Sequence, residues 1–283
     1  MNILHISDMH FGPRHWLGEN EVLLAKLKSY SADILINTGD NTTDALENEF
    51  EAAGNFLKSI ECQHVISIPG NHDKRNMRSV DYFRQYIDDT EVIRPLKRDN
   101  CRKKNIFLDK NTNDLKERFT DINFLKKITI NGESILAVCL DTNTLYTDKG
   151  FVDTEMLRTL SHEISKASYD RIILLNHHSI LDTDSDPLFN SRTVVEFVRE
   201  NNIKHVFCGH THQLSIMRST DLHHRHSFTQ YKNGSLSSAN TPHDTNMFLY
   251  YENFGTEAMN IHIVRAISEN ECLKFEEEIV SIN

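Results

Sequence analysis

At 283 residues, and with about 150 residues as a typical domain, the chain accommodates one large domain or two small ones. Its 41 acidic side chains against 31 basic ones give a net charge of −10. That weighs against duplex nucleic acid or an anionic membrane as partner, since both are met by clustered Lys and Arg. With 39% apolar residues, 10 Gly and 5 Pro, the composition is globular, neither disordered nor fibrous. The five cysteines form no CxxC pair, which points to reduced thiols in a cytoplasmic protein. No apolar run approaches the roughly 20 residues of a membrane span, and the opening Met1–Asp8 stretch has neither the basic nor the apolar region of a secretory leader. The unusual number is 16 histidines, a large supply of neutral-pH metal ligands and proton carriers.

In chain order, short β-branched runs at 3–6, 33–37 and 64–68 read as buried strands. They alternate with helical spacing at 21–29 and 44–60, the second with Asp44 and Glu47 placed as N-cap and N3 of a capping box. A third helix is expected at 77–86. Residues 97–121, charged and almost free of Gly and Pro, read as a surface excursion whose basic cluster is a solvated face. Two strands around Asn131-Gly132 form a hairpin over 125–140. A helix at 153–166 and strands at 171–176 and 204–208 follow. The remainder, about 213–283, is strand-rich, with strands at 214–218, 226–231, 247–252, 258–267 and 272–280. Strand, helix, strand spacing in the first half implies parallel βαβ units. The fold class is therefore α/β, turning to α+β in the C-terminal part. The architecture is a four-layer α/β/β/α sandwich with two mixed sheets, in a single domain over 1–283.

Polar residues cluster where these strands end. The first strand runs into Asp8 and His10, the second into Gly39-Asp40, and the third into Gly70-Asn71-His72-Asp73. Later strands run into His177-His178 and into Gly209-His210-Thr211-His212. Strand carboxyl ends are where ligands bind in open α/β sheets. The nitrogen and oxygen donors, without thiolate, suit Mn, Fe, Zn or Co rather than an iron–sulfur or structural zinc centre. Three of only ten glycines precede these clusters, where a sharp turn or close backbone approach is needed.

Asp8-x-His10, Gly39-Asp40-x-x-x-Asp44, Gly70-Asn71-His72-Asp73, His177 and Gly209-His210-x-His212 resemble, in order, the five-block signature of the calcineurin-like metallophosphoesterases. The opening His5-Ile-Ser-Asp-Met-His-Phe-Gly12 is most similar to the bacterial class III 3′,5′-cyclic-nucleotide phosphodiesterase branch. The resemblance implies two divalent or mixed-valence metal ions. Asp8, His10 and His212 would hold one, Asn71, His177 and His210 the other, and Asp40 would bridge both. It further implies in-line attack of a metal-bound hydroxide on phosphorus, with His72 as the catalytic acid or charge stabiliser and Asp73 orienting its imidazole. Two departures stand out. Asn41-Thr42-Thr43-Asp44 is wholly polar where the family has a hydrophobic residue after Asp40, and Ser-Ile replaces Pro-Pro after His177-His178.

The other histidines fit ordinary roles. His223, His224 and His226 read as a polar loop between strands, and His243 as a loop residue able to approach the site. Asp141 resembles a supporting family position and is left unassigned. The resulting expectation is a phosphodiesterase acting on a small-molecule phosphoester, with 3′,5′-cyclic AMP the first candidate. A nuclease or phosphomonoesterase on the same metal core is the enzymatic alternative, and a non-catalytic interaction scaffold the alternative from another class. Membrane binding is not expected, and the oligomeric state stays open, a homodimer included.

Overall fold

A computed structural model describes residues 1–16, 20–182, 185–239, 246–269 and 272–281. Strand β1 (Ile3–Ile6), helix α1 (Asn20–Lys28), β2 (Ile34–Asn37), α2 (Glu47–Ser59) and β3 (His64–Ser67) build the expected parallel βαβ half. After α3 (Ser79–Tyr86) come β4 (Asn105–Asp109) and β5 (Asp114–Arg118), then the hairpin β6 (Phe124–Ile130) and β7 (Glu133–Leu140). A small hairpin of β8 (Asn143–Thr144) and β9 (Thr147–Gly150) leads to α4 (Thr154–Lys166), β10 (Arg171–Asn176), α5 (Ser191–Glu200) and β11 (His205–Cys208). The C-terminal part carries β12 (Ser215–Asp221), β13 (His226–Lys232), β14 (Met247–Glu252), β15 (Asn260–Glu269) and β16 (Cys272–Ser281).

Two six-stranded mixed sheets result, ordered β16-β15-β14-β1-β2-β3 and β12-β13-β11-β10-β7-β6. Strand alternation sorts the apolar side chains into three cores. Between the sheets, Ile3, Ile34, Ile36 and Ile66 meet Ala137, Cys139, Leu175 and Phe207, and α3 adds Val80 and Phe83. Leu4, Leu35 and Phe248 point the other way, onto Leu23, Leu27 and Leu57 of α1 and α2. Leu136, Val138, Leu174 and Val206 do the same against Met156, Leu160, Val194 and Phe197 of α4 and α5. Helix, sheet, sheet and helix are thus stacked as four layers.

Some local readings need correction. Asp44 does not cap α2: Ala45 turns through a left-handed backbone (φ 57°) and the helix begins at Glu47 behind Leu46. The Glu49 carboxylate accepts the backbone N–H of Asp44 at 2.9 Å and of Leu46 at 3.2 Å, so the cap comes from inside the helix. The 97–121 excursion contains an ordered hairpin, β4–β5, although three of its apolar side chains, Ile106, Leu108 and Leu115, lie exposed. The short β8–β9 hairpin and α5 lay outside the sequence reading, although Val194, Phe197 and Val198 of α5 carry helical spacing and are buried. His223 and His224 occupy a turn between β12 and β13, but His226 does not belong to that loop: it is the first residue of β13, buried, with Nε2 bonded to Ile203 O at 3.0 Å.

His5 of β1 is fully buried in the inter-sheet core, bonded to Thr38 Oγ1 at 3.1 Å and Tyr251 Oη at 3.3 Å. Burial, only partly opposed by the Asp8 charge, pushes its pKa down to about 3. An unfolded histidine titrates near 6.5, so the unfolded chain takes up a proton first. The stability His5 contributes is complete above about pH 6.5 and is lost as pH falls towards 3. From pH 6.5 to 5 this amounts to roughly 2 kcal/mol at about 1.4 kcal/mol per pH unit. Urea unfolding at pH 7 and pH 5 should show that loss, and His5→Gln should make the pH slope shallower by about that amount; an unaltered slope would refute the assignment.

Candidate metal centre

Every polar cluster expected at the strand ends converges on one rim. Five of the residues concerned hold left-handed backbone: Asp8 (φ 53°), His10 (51°), Asp40 (53°), His210 (80°) and His212 (56°). Each such residue costs of order 1 kcal/mol or more and persists only when its surroundings over-determine it. The turns are tight enough to dictate glycine at two positions. Gly39 sits at φ 101°, and a Cβ on Gly70 would lie 2.1 Å from Asp40 Oδ1.

The inward donors form two groups. His10 Nε2 and His212 Nε2 are 3.0 Å apart, and they stand 3.9 and 3.3 Å from Asp8 Oδ1, a buried oxygen with no hydrogen-bond partner among the described residues. On the other side Asn71 Oδ1 lies 2.9 Å from both His177 Nε2 and His210 Nδ1. Asp40 spans the two groups, with Oδ2 3.8 Å from His10 Nε2 and Oδ1 3.5 Å from His177 Nε2.

Backbone carbonyls assign the tautomers. His177 donates from Nδ1 to Thr38 O (2.8 Å) and His210 from Nε2 to Asp186 O (3.0 Å), so in the neutral rings Nε2 of the first and Nδ1 of the second are lone pairs. Asn71 donates its Nδ2 to Asp148 Oδ1 (2.9 Å), which turns Oδ1 towards both imidazoles. The Asn71 carbonyl oxygen therefore faces two imidazole lone pairs at 2.9 Å each, an arrangement that requires a cation or an extra proton. The orphaned Asp8 oxygen makes the same demand. The donor set fits a pair of metal ions.

The field agrees. Burial would lower the His177 pKa, yet Asp40 and Asp8 raise it to about 9. Burial opposes ionisation of Asp40 as well, but His177 and His72 hold its carboxyl well below the usual range. His10, by contrast, is driven by burial to about 3 and stays a neutral donor.

His72 borders this cluster. Its Nδ1 donates to Thr43 O at 2.7 Å, and its Nε2 faces Arg14 Nη1 at 3.0 Å and Arg75 Nη2 at 3.3 Å. Asp73 does not orient that ring. Its carboxylate accepts instead from Asn41 N and Nδ2, Thr42 N and Oγ1, and Gly70 N, at 2.7–3.0 Å. The polar Asn41-Thr42 step is thus explained: its donors satisfy a buried acid and lock the Asp40 turn to the Asn71 turn. Burial and the Asp40 charge raise the Asp73 pKa to about 6. His178 is occupied elsewhere, by Thr142 Oγ1 (2.9 Å) and Asp148 O (2.9 Å), leaving His177 as the neighbour that faces the cluster. Asp141 forms a fully buried ion pair with Lys74 (2.8 Å), whose charge, with that of Lys103, overcomes burial and holds the acid at about 2. His243 lies outside the described residues.

Arg14, Arg75 and Asp148 escaped the sequence reading. Arg75 is held by Asp148 (3.1 Å) and Asp44 (3.5 Å), so Asp44 works through that arginine. Position Arg75, two residues after Asp73, carried the only available signal.

The profile of the calcineurin-like phosphoesterase family matches residues 1–214. No curated protein sequence matches significantly. Among solved structures, purple acid phosphatase PPD1 from yellow lupin superposes with a TM-score of 0.56 at 10% identity, covering 99% of this chain and 53% of its own. GAP50, the anchor in the inner membrane complex of Plasmodium, gives 0.55 at 11%, covering 100% and 89%. The NAD nucleotidase of Haemophilus influenzae gives 0.53 at 15%, covering 98% and 53%. At such identities the likeness is one of fold.

Asp73→Ala leaves five donors in two buried turns without their acceptor, at about 1 kcal/mol or more each for those that water cannot reach. We expect a loss of at least about 3 kcal/mol in urea unfolding. A variant as stable as the parent would show that the carboxylate does not hold these turns together.

Proposed function

Since the chain belongs to the calcineurin-like phosphoesterase family, whose profile spans residues 1–214, we propose that it is a di-metal hydrolase of small-molecule phosphoesters. The observation that carries this reading is the meeting of Asn71 Oδ1 with His177 Nε2 and His210 Nδ1 at 2.9 Å, beside the unpartnered Asp8 Oδ1. Asp8, His10 and His212 would hold one ion and Asn71, His177 and His210 the other, with Asp40 between them. The nitrogen and oxygen donors favour Mn, Fe, Zn or Co. When bound, such a pair supplies Lewis-acid charge to phosphoryl oxygens and lowers the pKa of water.

The chain's own residues do the rest. A phosphoryl group in front of His72 meets the guanidinium groups of Arg14 and Arg75, whose planar forks match its oxygens. Asp148 restrains Arg75 and, through Asn71 Nδ2, the Asn71 carbonyl as well. Thr43 O fixes the His72 ring, so that Nε2 is the nitrogen positioned to exchange a proton with the leaving oxygen.

A phosphodiester is the favoured substrate and 3′,5′-cyclic AMP the first to test, on the strength of the opening motif. The net charge of −10 supports a small substrate over long nucleic acid. A single domain over 1–283 belongs to the same reading, supported by one core shared between both sheets. So does a cytoplasmic location, supported by four cysteines that form no disulfide among the described residues. Among those residues no helix is long and apolar enough to cross a membrane. All seven proposed ligands are present, which favours catalysis over a scaffold role.

With Mn²⁺, the protein should bind two equivalents and hydrolyse bis-p-nitrophenyl phosphate and cyclic AMP. Asp40→Asn should retain less than one equivalent and lose at least about a hundredfold in kcat. Arg14→Ala should raise KM for dianionic p-nitrophenyl phosphate by about tenfold, and less for the monoanionic diester. Parental turnover and metal content in Asp40→Asn would sink the proposal.

A further inference from the structure

The chain leaves the sheets after α3 and returns at β6, and between this excursion and α3 lies a surface cavity of about 570 Å³. That volume is within the roughly 300–1,000 Å³ of small-molecule sites. None of the proposed metal ligands lines it. Four arginines do: Arg84 from α3, Arg94 and Arg98 from the following loop, and Arg118 from the end of β5. Only two acids join them, Asp81 and Glu117, so the lining carries a net +2 in a chain of net −10.

The two acids are already engaged. Asp81 pairs with Arg118 at 2.7 Å, and Glu117 with Lys104 at 3.5 Å. Arg94 donates to the carbonyls of Phe119 (3.0 Å) and Asp121 (3.2 Å). Arg98 lies over the Phe119 ring, 5.6 Å from its centroid. Among the described residues neither Arg84 nor Arg98 pairs with a carboxylate. Burial lowers the Arg94 pKa, and the charges of Arg98, Arg118 and Arg84 lower it further despite Asp121. This cationic group therefore repels itself, and bound negative charge would relieve it. All four cations are arginines, whose forks suit tetrahedral oxyanions where lysine offers a point charge.

We propose that this cavity is a second anion site, separate from the metal centre, for a small molecule carrying a phosphate or diphosphate group. It is also joined to that centre. Residues 119–121 are gripped by Arg94 from the cavity side, while Lys74, next to Asp73, donates to the Thr120 carbonyl from the other. From sequence the basic cluster at 97–104 reads as solvated surface; three of the four arginines, Arg84 on α3, Arg94 and Arg118, lie outside that stretch, and only folding gathers them.

The test is calorimetric titration of the full chain with two probes that resist hydrolysis, methylenediphosphonate and adenosine 5′-(α,β-methylene)diphosphate. The first stands for free inorganic diphosphate and the second for an organic ligand; equal affinity assigns the site to the inorganic group, and tighter adenosine binding to a nucleotide. Either probe should show one binding event that survives Asp40→Asn. Arg84→Ala/Arg98→Ala, at two exposed positions, should weaken that event at least tenfold while leaving far-UV circular dichroism and bis-p-nitrophenyl phosphate turnover unchanged. Wild-type isotherms in the double variant, or loss of all binding in Asp40→Asn, would overturn the proposal.

Discussion

The structure is organised around two buried carboxylates, Asp8 and Asp40, set close together with histidines as their main counter-groups. Moving such charges out of water costs several kcal/mol apiece unless they are paired and hydrogen-bonded. Asp8 Oδ2 is bonded to Ser7 Oγ and to the backbone of His210, and Asp40 Oδ1 to the backbone of His72. These bonds satisfy part of each carboxylate. What remains faces inward, and the elevated pKa of His177 expresses the same demand for positive charge that a metal pair would meet.

Holding that charge in place requires backbone that strands and helices do not supply. The left-handed residues at positions 8, 10, 40, 210 and 212 each aim a side chain off the end of a strand, into a space that continued extended structure would carry it past. The surroundings absorb the strain. Ser235 and Ser237 donate to the carbonyls of Asp8 and Met9, Asp73 ties the Asp40 turn to Gly70, and Lys74 with Asp141 anchors the segment behind. Asp73 therefore matters through the backbone it gathers rather than through the imidazole next to it in sequence.

Much of this was legible before folding, because the βαβ half follows from apolar periodicity and the ligand candidates stand next to glycine at strand ends. Legibility fails where a role depends on which side chain meets which. The adjacency of His72 and Asp73 suggests a pair, but the 3-10 turn over His72–Lys74 points them in different directions. Asp44 has the composition of a cap, yet a left-handed Ala45 displaces the cap by two residues, to Leu46. Arg14 and Arg75 are 61 positions apart and come together only because the first and third strand ends share a rim. The β4–β5 hairpin is charged and half-exposed, so its strand period is too weak to separate from a loop.

The ligand set is divided between the two sheets, and this has a consequence for how fold and site depend on each other. Asp8, His10, Asp40 and Asn71 follow strands of the first sheet, whereas His177, His210 and His212 follow strands of the second. Each proposed metal position draws donors from both. The ions would thus act as staples across the inter-sheet core, adding binding energy to the native state alone. Conversely, a substitution in that core at Ile36 or Phe207, neither of which is itself a donor, would alter the spacing of the two half-sites. A shift of about 1 Å between catalytic groups can cost on the order of a hundredfold in rate. The apolar contacts between the sheets and the polar contacts at their rim are therefore parts of one device, in which packing sets the geometry that the chemistry needs.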